Sequence, residues 1–96
     1  MQIHIPTPLR SYTQQGIVNA NGTTVAEILF DLERQFPGIR FRIVNEQDEL
    51  RQHIKIFINQ RIAPSLTEPL KMGDVIRIIM AISGGSVQLP NIVFGL

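Results

Sequence analysis

Thr24-Val25-Ala26-Glu27-Ile28-Leu29-Phe30-Asp31-Leu32-Glu33-Arg34-Gln35-Phe36-Pro37-Gly38 carries signals for both ends of a helix. Thr24 fits the N-cap and Glu27 the third helical position of a capping box, an arrangement worth about 1 kcal/mol. Val25, Ile28, Leu29, Leu32 and Phe36 recur at helical spacing and form one apolar face, with Glu27, Asp31 and Arg34 on the other. Pro37-Gly38 stops the run. Phe30 breaks the pattern and points to the polar side. It is open whether it is a partly shielded surface aromatic or a contact for the C-terminal segment or a partner.

Outward from this helix the period changes to two. Gln2–Ile5 alternates as a half-buried strand, and Pro6 and Pro8 interrupt it. Residues 15–19 are expected to return antiparallel to it, with Asn21-Gly22 as a turn. Beyond the helix, Phe41–Val44 is expected to be a short strand and Asn45–Asp48 a polar turn. In Ile54–Asn59, Ile54, Ile56 and Ile58 share one face and Lys55, Phe57 and Asn59 the other. Residues 60–74, with Pro64 and Pro69, read as a loop ending in Met72-Gly73-Asp74. Val75–Ile82 is the last strand. Arg77 is not expected to be buried unpaired, so Val75, Arg77, Ile79 and Ala81 face outward and Ile76, Ile78, Met80 and Ile82 inward. One helix cannot cover both faces of a sheet, so the expected fold class is α+β, a roll with a mixed sheet and one main helix. The outer face then keeps Ile79, Ala81 and Phe57, either a partner site or ordinary surface apolarity.

The whole chain sets the limits. At 96 residues with 44% hydrophobic content it is one domain, and it buries roughly 60–65% of its unfolded surface. A net charge of +1 gives no basic field, so nucleic-acid binding is not expected. There is no apolar run of membrane-spanning length and no signal-peptide pattern, so no membrane role and cytoplasmic residence are the expectations. The chain has no cysteine, which removes disulfides, thiolate nucleophiles and Cys-based metal sites.

No catalytic constellation is present. His4 and His53 are the only histidines and fall in or beside strands. Neither a zinc-binding His spacing, nor a phosphate loop, nor a nucleophile elbow occurs, so no metal is expected and the chain does not read as an enzyme. Glu46, Asp48 and Glu49 read as a solvated loop cluster. Gly84-Gly85 differs by position, directly after the closing strand. Ile82 through Gly85 can extend about 13 Å as an arm without side chains at its end, able to enter a narrow channel. A carboxylate there could be activated with ATP and converted to a thiocarboxylate. Alone, two glycines are also a plain turn or linker signal.

Several segments together resemble the ThiS/MoaD-type small sulfur carriers. Ile5-Pro6-Thr7-Pro8-Leu9-Arg10 is similar to their N-terminal signature. Thr24–Leu29 with Phe36-Pro37-Gly38-Ile39 resembles their helix and its exit. Ile54–Asn59 resembles their central strand, Pro69–Val75 their Leu-Lys-Asp-Gly-Asp turn, and Ile79–Gly85 their last strand and arm. The resemblance runs through residues 2–85 in one order, with the carriers that feed cysteine synthesis or related small-metabolite sulfur transfer as the nearest group. It implies a β-grasp, ubiquitin-like fold. It also implies adenylation of a Gly85 carboxylate by a ubiquitin-activating-type enzyme, ATP being that enzyme's cosubstrate rather than a bound cofactor. Thiolation and sulfur delivery to a biosynthetic enzyme making cysteine, thiamin or molybdopterin would follow. Phe57, Arg77, Ile79 and Ala81 would form the partner-docking face, and Gly84 and Gly85 the sulfur-carrying end.

Two departures stand out. Gln60–Thr67 is shorter than the family's loop and lacks its acidic stretch, which leaves partner choice there open. Gly85 is joined to Ser86 and has no free carboxylate. The expected organisation is a carrier-like domain at 1–85 and an apolar extension at 86–96 bearing Val87, Leu89, Ile92, Val93, Phe94 and Leu96. That extension should pack on the domain, pair with a sheet edge, or dock on another chain. Two functions are open: a carrier precursor, cut after Gly85 by a protease, or a non-conjugating binding module whose tail is a permanent structural or docking element.

Overall fold

Alternating isoleucines determine which side of the sheet meets the helix. A computed structural model describes residues 1–81. Along the chain run β1 (Gln2–His4), a 3₁₀ turn (Thr7–Leu9), α1 (Arg10–Thr13), β2 (Ile17–Asn19) and α2 (Val25–Gln35). They are followed by α3 (Ile39–Ile43), β3 (Ile54–Ile58), β4 (Arg61–Ile62) and β5 (Val75–Met80). The strands form one sheet in the order β2-β1-β5-β3-β4. β1 and β5 are parallel and the other pairs antiparallel. This is the mixed sheet with one main helix that the patterning predicts, and β5 lies at its centre.

Ile3, Ile54, Ile56, Ile58, Ile76 and Ile78 are buried on the inner face and share a core with Val25, Ile28, Leu29 and Leu32 of α2. Each such side chain contributes roughly 1.5–3 kcal/mol relative to exposure. As expected from the alternation, Arg77 and Ile79 of β5 are exposed on the other side.

The start of α2 is capped by more than the predicted box. Thr24 Oγ1 accepts from the Glu27 amide at 3.2 Å. The Glu27 carboxylate turns back to the amide and hydroxyl of Thr23, at 2.7 and 2.9 Å, rather than to the amide of Thr24. The Val25 and Ala26 amides donate to the carbonyls of Glu68 and Leu66, so residues of the 60–74 segment satisfy the first turn's free N–H groups. Gly22 lies against this same turn. A Cβ there would stand 2.7 Å from Glu27 Cβ and 2.9 Å from the Glu27 carbonyl carbon.

Four segments differ from the sequence expectation. Residues 41–44 are not a strand: Ile39–Ile43 is helical, and Val44 alone is extended, bridging to Leu50. Gly38, at φ 98°, turns the chain out of α2. The Glu33 carboxylate then receives the Gly38 and Arg40 amides, both at 2.9 Å. Ile39 and Ile43, one helical turn apart, are both buried. The prolines at 6 and 8 interrupt the strand as expected, but the residues after Pro6 form a 3₁₀ turn that continues as α1, which the sequence reading did not include. The 60–74 segment contains the short strand β4. β5 closes at Met80; Ala81 follows as an exposed residue, and Ile82 lies outside the described residues.

Candidate functional site

The outer face of the sheet brings together side chains from all five strands. Ile17 pairs with His4, His4 with Arg77, Arg77 with Phe57 and Phe57 with Ile62. These residues form one continuous cross-strand row, because directly opposed residues in a sheet project to the same side. Ile79, across from Lys55, belongs to the adjacent row. Ile17, Ile62 and Ile79 are 46%, 49% and 41% exposed, so the face is open to solvent. Lys55 and Arg77 supply positive charge, and none of the outward strand residues is acidic.

The predicted face residues Phe57, Arg77 and Ile79 are therefore side by side, and Ala81 is exposed just past the strand, its amide donating to the His53 carbonyl at 2.9 Å. Sequence reasoning missed Ile17, His4 and Ile62 as members. Their own alternation shows that Ile17 faces away from Val18, but only the register places it beside His4.

At one end of this face is an open groove of about 410 Å³, walled by Pro6, Pro8 and Arg10 on one side and Arg77, Ile79 and Met80 on the other. Its origin is the proline pair. β1 accompanies β5 only as far as His4–Arg77, whereas β3 continues with it to Met80. Pro6 cannot donate to a ladder, and Ile5 already donates to Gly16. Ile78–Met80 consequently has a strand neighbour on one side only among the described residues. Arg10 is fixed at the rim by donating from Nε to the Ile5 carbonyl at 2.9 Å. β5 ends at Met80 on the wall of this groove, and Gly84 and Gly85 lie outside the described residues.

The opposite end of β5 is anchored by a polar knot. Asn59, at φ 58°, donates its side-chain amide to Asp74 and accepts from the Val75 amide. Asp74 also receives the Lys71 amide at 2.9 Å. These hydrogen bonds, the Lys71 amide first and then Asn59, hold the Asp74 carboxyl below its ordinary range, as donors to an anion do. This knot accounts physically for the strand-ending Asn and the Gly-Asp turn noted in the sequence.

On the helix side, Phe30 is 61% exposed and stacked under Arg40, 4.5 Å from the ring centroid. Phe41 is stacked the same way under Arg51. These aromatics are partly shielded by guanidinium groups. Asp48 pairs with Arg40. Among the described residues no group of three His, Asp or Glu side chains is placed to hold a metal, and no helix is long and apolar enough to cross a membrane.

Comparison with known proteins agrees with this geometry. The sequence profile of the ThiS family matches residues 3–85. The sulfur carrier protein CysO of Mycobacterium tuberculosis is 32% identical over 89 residues, covering 86% of this chain and 96% of that protein. Among solved structures, CysO in the Amycolatopsis orientalis BexX/CysO complex superposes with a TM-score of 0.81 at 35% identity, covering 88% of this chain and 98% of that one. SAMP1 from Haloferax volcanii superposes at 0.73 with 26% identity, covering 88% and 98%. The architecture is the ubiquitin-like β-grasp.

Proposed function

The chain belongs to the ThiS family, its members being small carriers rather than enzymes, and from that premise we propose that it is the precursor of a sulfur carrier whose working end is Gly85. One observation carries this reading: the family match ends at Gly85, five residues past the end of a central strand that borders an open, apolar and cationic face. The domain at 1–85 is the carrier and Ser86–Leu96 is a removable extension.

In this reading a protease adds water across the Gly85–Ser86 peptide bond, leaving a carboxylate. A partner adenylating enzyme directs a carboxylate oxygen at the α-phosphorus of ATP, and pyrophosphate leaves. A sulfur nucleophile at the hydrosulfide level then attacks the acyl carbon and displaces AMP. The product is a thiocarboxylate, which a biosynthetic enzyme accepts as sulfur donor. Each step takes place in a partner's active site, consistent with the absence of a catalytic constellation in the chain. The carrier supplies a narrow arm and a docking surface of Phe57, Arg77, Ile79 and Ala81. CysO of Amycolatopsis orientalis is seen in complex with BexX, which supports a macromolecular partner for a carrier of this shape. Sulfur transfer toward cysteine or a related small metabolite is the pathway favoured by the resemblance of residues 2–85 to the carriers that feed such syntheses.

The test is reconstitution. Chain ending at Gly85, incubated with an adenylating enzyme of this class, ATP and sulfide, should gain a C-terminal thiocarboxylate by mass. Chain retaining Ser86–Leu96 should gain none. Persistence of only the full-length chain in its host under sulfur demand would favour the non-conjugating module instead.

A further inference from the structure

We infer that the edge of β5 at Ile78–Met80 is a docking site for an extended, acidic segment of a partner protein. That segment adds to the sheet as a strand parallel to β5, in the place where β1 breaks off. The inference does not depend on any chemistry at Gly85.

Backbone hydrogen bonding points to a strand as the occupant. In β5 the Val75 carbonyl receives the Asn59 amide, and the Ala81 amide donates to the His53 carbonyl. Odd-numbered residues of β5 therefore bond toward β3, and even-numbered ones aim their N–H and C=O groups toward β1. The β1 ladder ends at the His4–Arg77 pair, a register that directs the Ile78 amide at the His4 carbonyl. The next rung would need residue 6 to donate to the Ile78 carbonyl and to accept from the Met80 amide. Residue 6 is proline, with no N–H to give. Its carbonyl is taken by the Leu9 amide at 2.9 Å. The Ile78 carbonyl and the Met80 amide are thus left without a backbone partner among the described residues. Ile78 is only 1% exposed, so its carbonyl gains little from water, and an unpaired buried backbone group is unfavourable. One residue of an added strand, opposite Ile79, satisfies both groups.

The groove decides what kind of strand fits. Its walls carry Arg10 and Arg77 and no carboxylate, while Pro6, Pro8 and Met80 supply apolar surface. A side chain opposite Ile79 shares the outer face with Arg77, its diagonal neighbour, so an acidic residue there is complementary. A second copy of the chain fits poorly. Pairing of this edge with itself would set arginine against arginine. The outer edges of the sheet, β2 and β4, carry no acidic residue, and the Asn19 carbonyl of β2 is already bonded to Gln35 at 2.9 Å. Strand addition takes affinity from the main chain and specificity from alternate side chains. The site adjoins Phe57 and Ile79, so one partner can cover that face and extend the sheet at once.

Amide hydrogen exchange and amide chemical shifts of the full chain test this. Alone, Met80 should exchange fast, whereas Ile79 and Ala81, bonded toward β3, should be protected. The probe is the peptide acetyl-Thr-Val-Glu-Val-Thr-amide. At millimolar concentration it should protect and shift the Met80 amide, and methylating the nitrogen of its Glu should abolish the effect. Gln in place of that Glu should weaken binding roughly fivefold. The Arg77→Gln chain should lose most of the preference for Glu. A Met80 amide already protected in the dilute full chain would mean that residues 82–96 of the chain itself occupy the edge, and would overturn the inference. Protection that grows with chain concentration would assign the edge to a second copy and overturn it equally. So would a Met80 amide that ignores the Glu peptide, or one that responds as strongly to the methylated form.

Discussion

Phe57 lies directly across from Arg77 in the antiparallel pairing of β3 with β5, both on the side of the sheet that the helix does not cover. Phenylalanine and arginine, here at opposed positions near the centre of an open face, are both enriched at protein interfaces. In chain ending at Gly85, Phe57→Asp or Ile79→Asp should lower kcat/KM for activation by the adenylating enzyme roughly 30-fold, about 2 kcal/mol. Thermal unfolding followed by circular dichroism would show whether the fold is kept. An unchanged kcat/KM in a folded variant would move the docking site elsewhere.

The inner face should respond differently. Ile58 is fully buried between the sheet and α2. Ile58→Ala should cost about 2–5 kcal/mol in urea unfolding, the transfer and cavity terms together.

Gly22 marks a place where the backbone itself leaves no room. Its added Cβ would meet Glu27 and the Ile28 amide nitrogen at under 3 Å, and these neighbours are helix backbone and the Glu27 Cβ fixed to it rather than a yielding side-chain tip. Gly22→Ala should destabilise by about 1–3 kcal/mol, read from the same unfolding curves. Thr24→Ala, which removes only the cap acceptor, should cost about 1 kcal/mol.

Acid should loosen the fold in a defined window. Glu27, Asp31, Glu33 and Asp74 are all held below their ordinary values, each chiefly by a backbone amide: Thr23, Asn21, Gly38 and Lys71 respectively. A carboxyl lowered in the folded state stabilises above its unfolded pKa, about 4, and that contribution is lost as pH falls through the lowered folded value. Tm should hold from neutral pH to about 5 and then fall below about 4. Asp74→Asn should make the acid-side fall shallower.

These residues also show what could be read in advance. Val25, Ile28, Leu29 and Leu32 follow a helical period over two turns, and Ile54–Ile58 and Val75–Met80 alternate cleanly. One-sided burial against a single core imposes both patterns, so α2, β3, β5 and the face of Phe57, Arg77 and Ile79 were legible. α3 was not. Its five residues are too few to separate periods of two and four, and its cap comes from Glu33 in the preceding helix. β4 is two exposed residues whose strand character exists only through pairing with Phe57 and Ile58. The 3₁₀ turn was hidden by prolines that interrupt a strand yet suit the first positions of a helix. Membership of Ile17, His4 and Ile62 in the outer row, and the groove beside Met80, depend on register between distant strands. No local pattern encodes that.

The most direct test of the central claim is the intact mass of this protein isolated from its native host under sulfur demand. The account predicts a species ending at Gly85, part of it heavier by the replacement of one carboxylate oxygen with sulfur. A population consisting only of chain that still carries Ser86–Leu96 would contradict it.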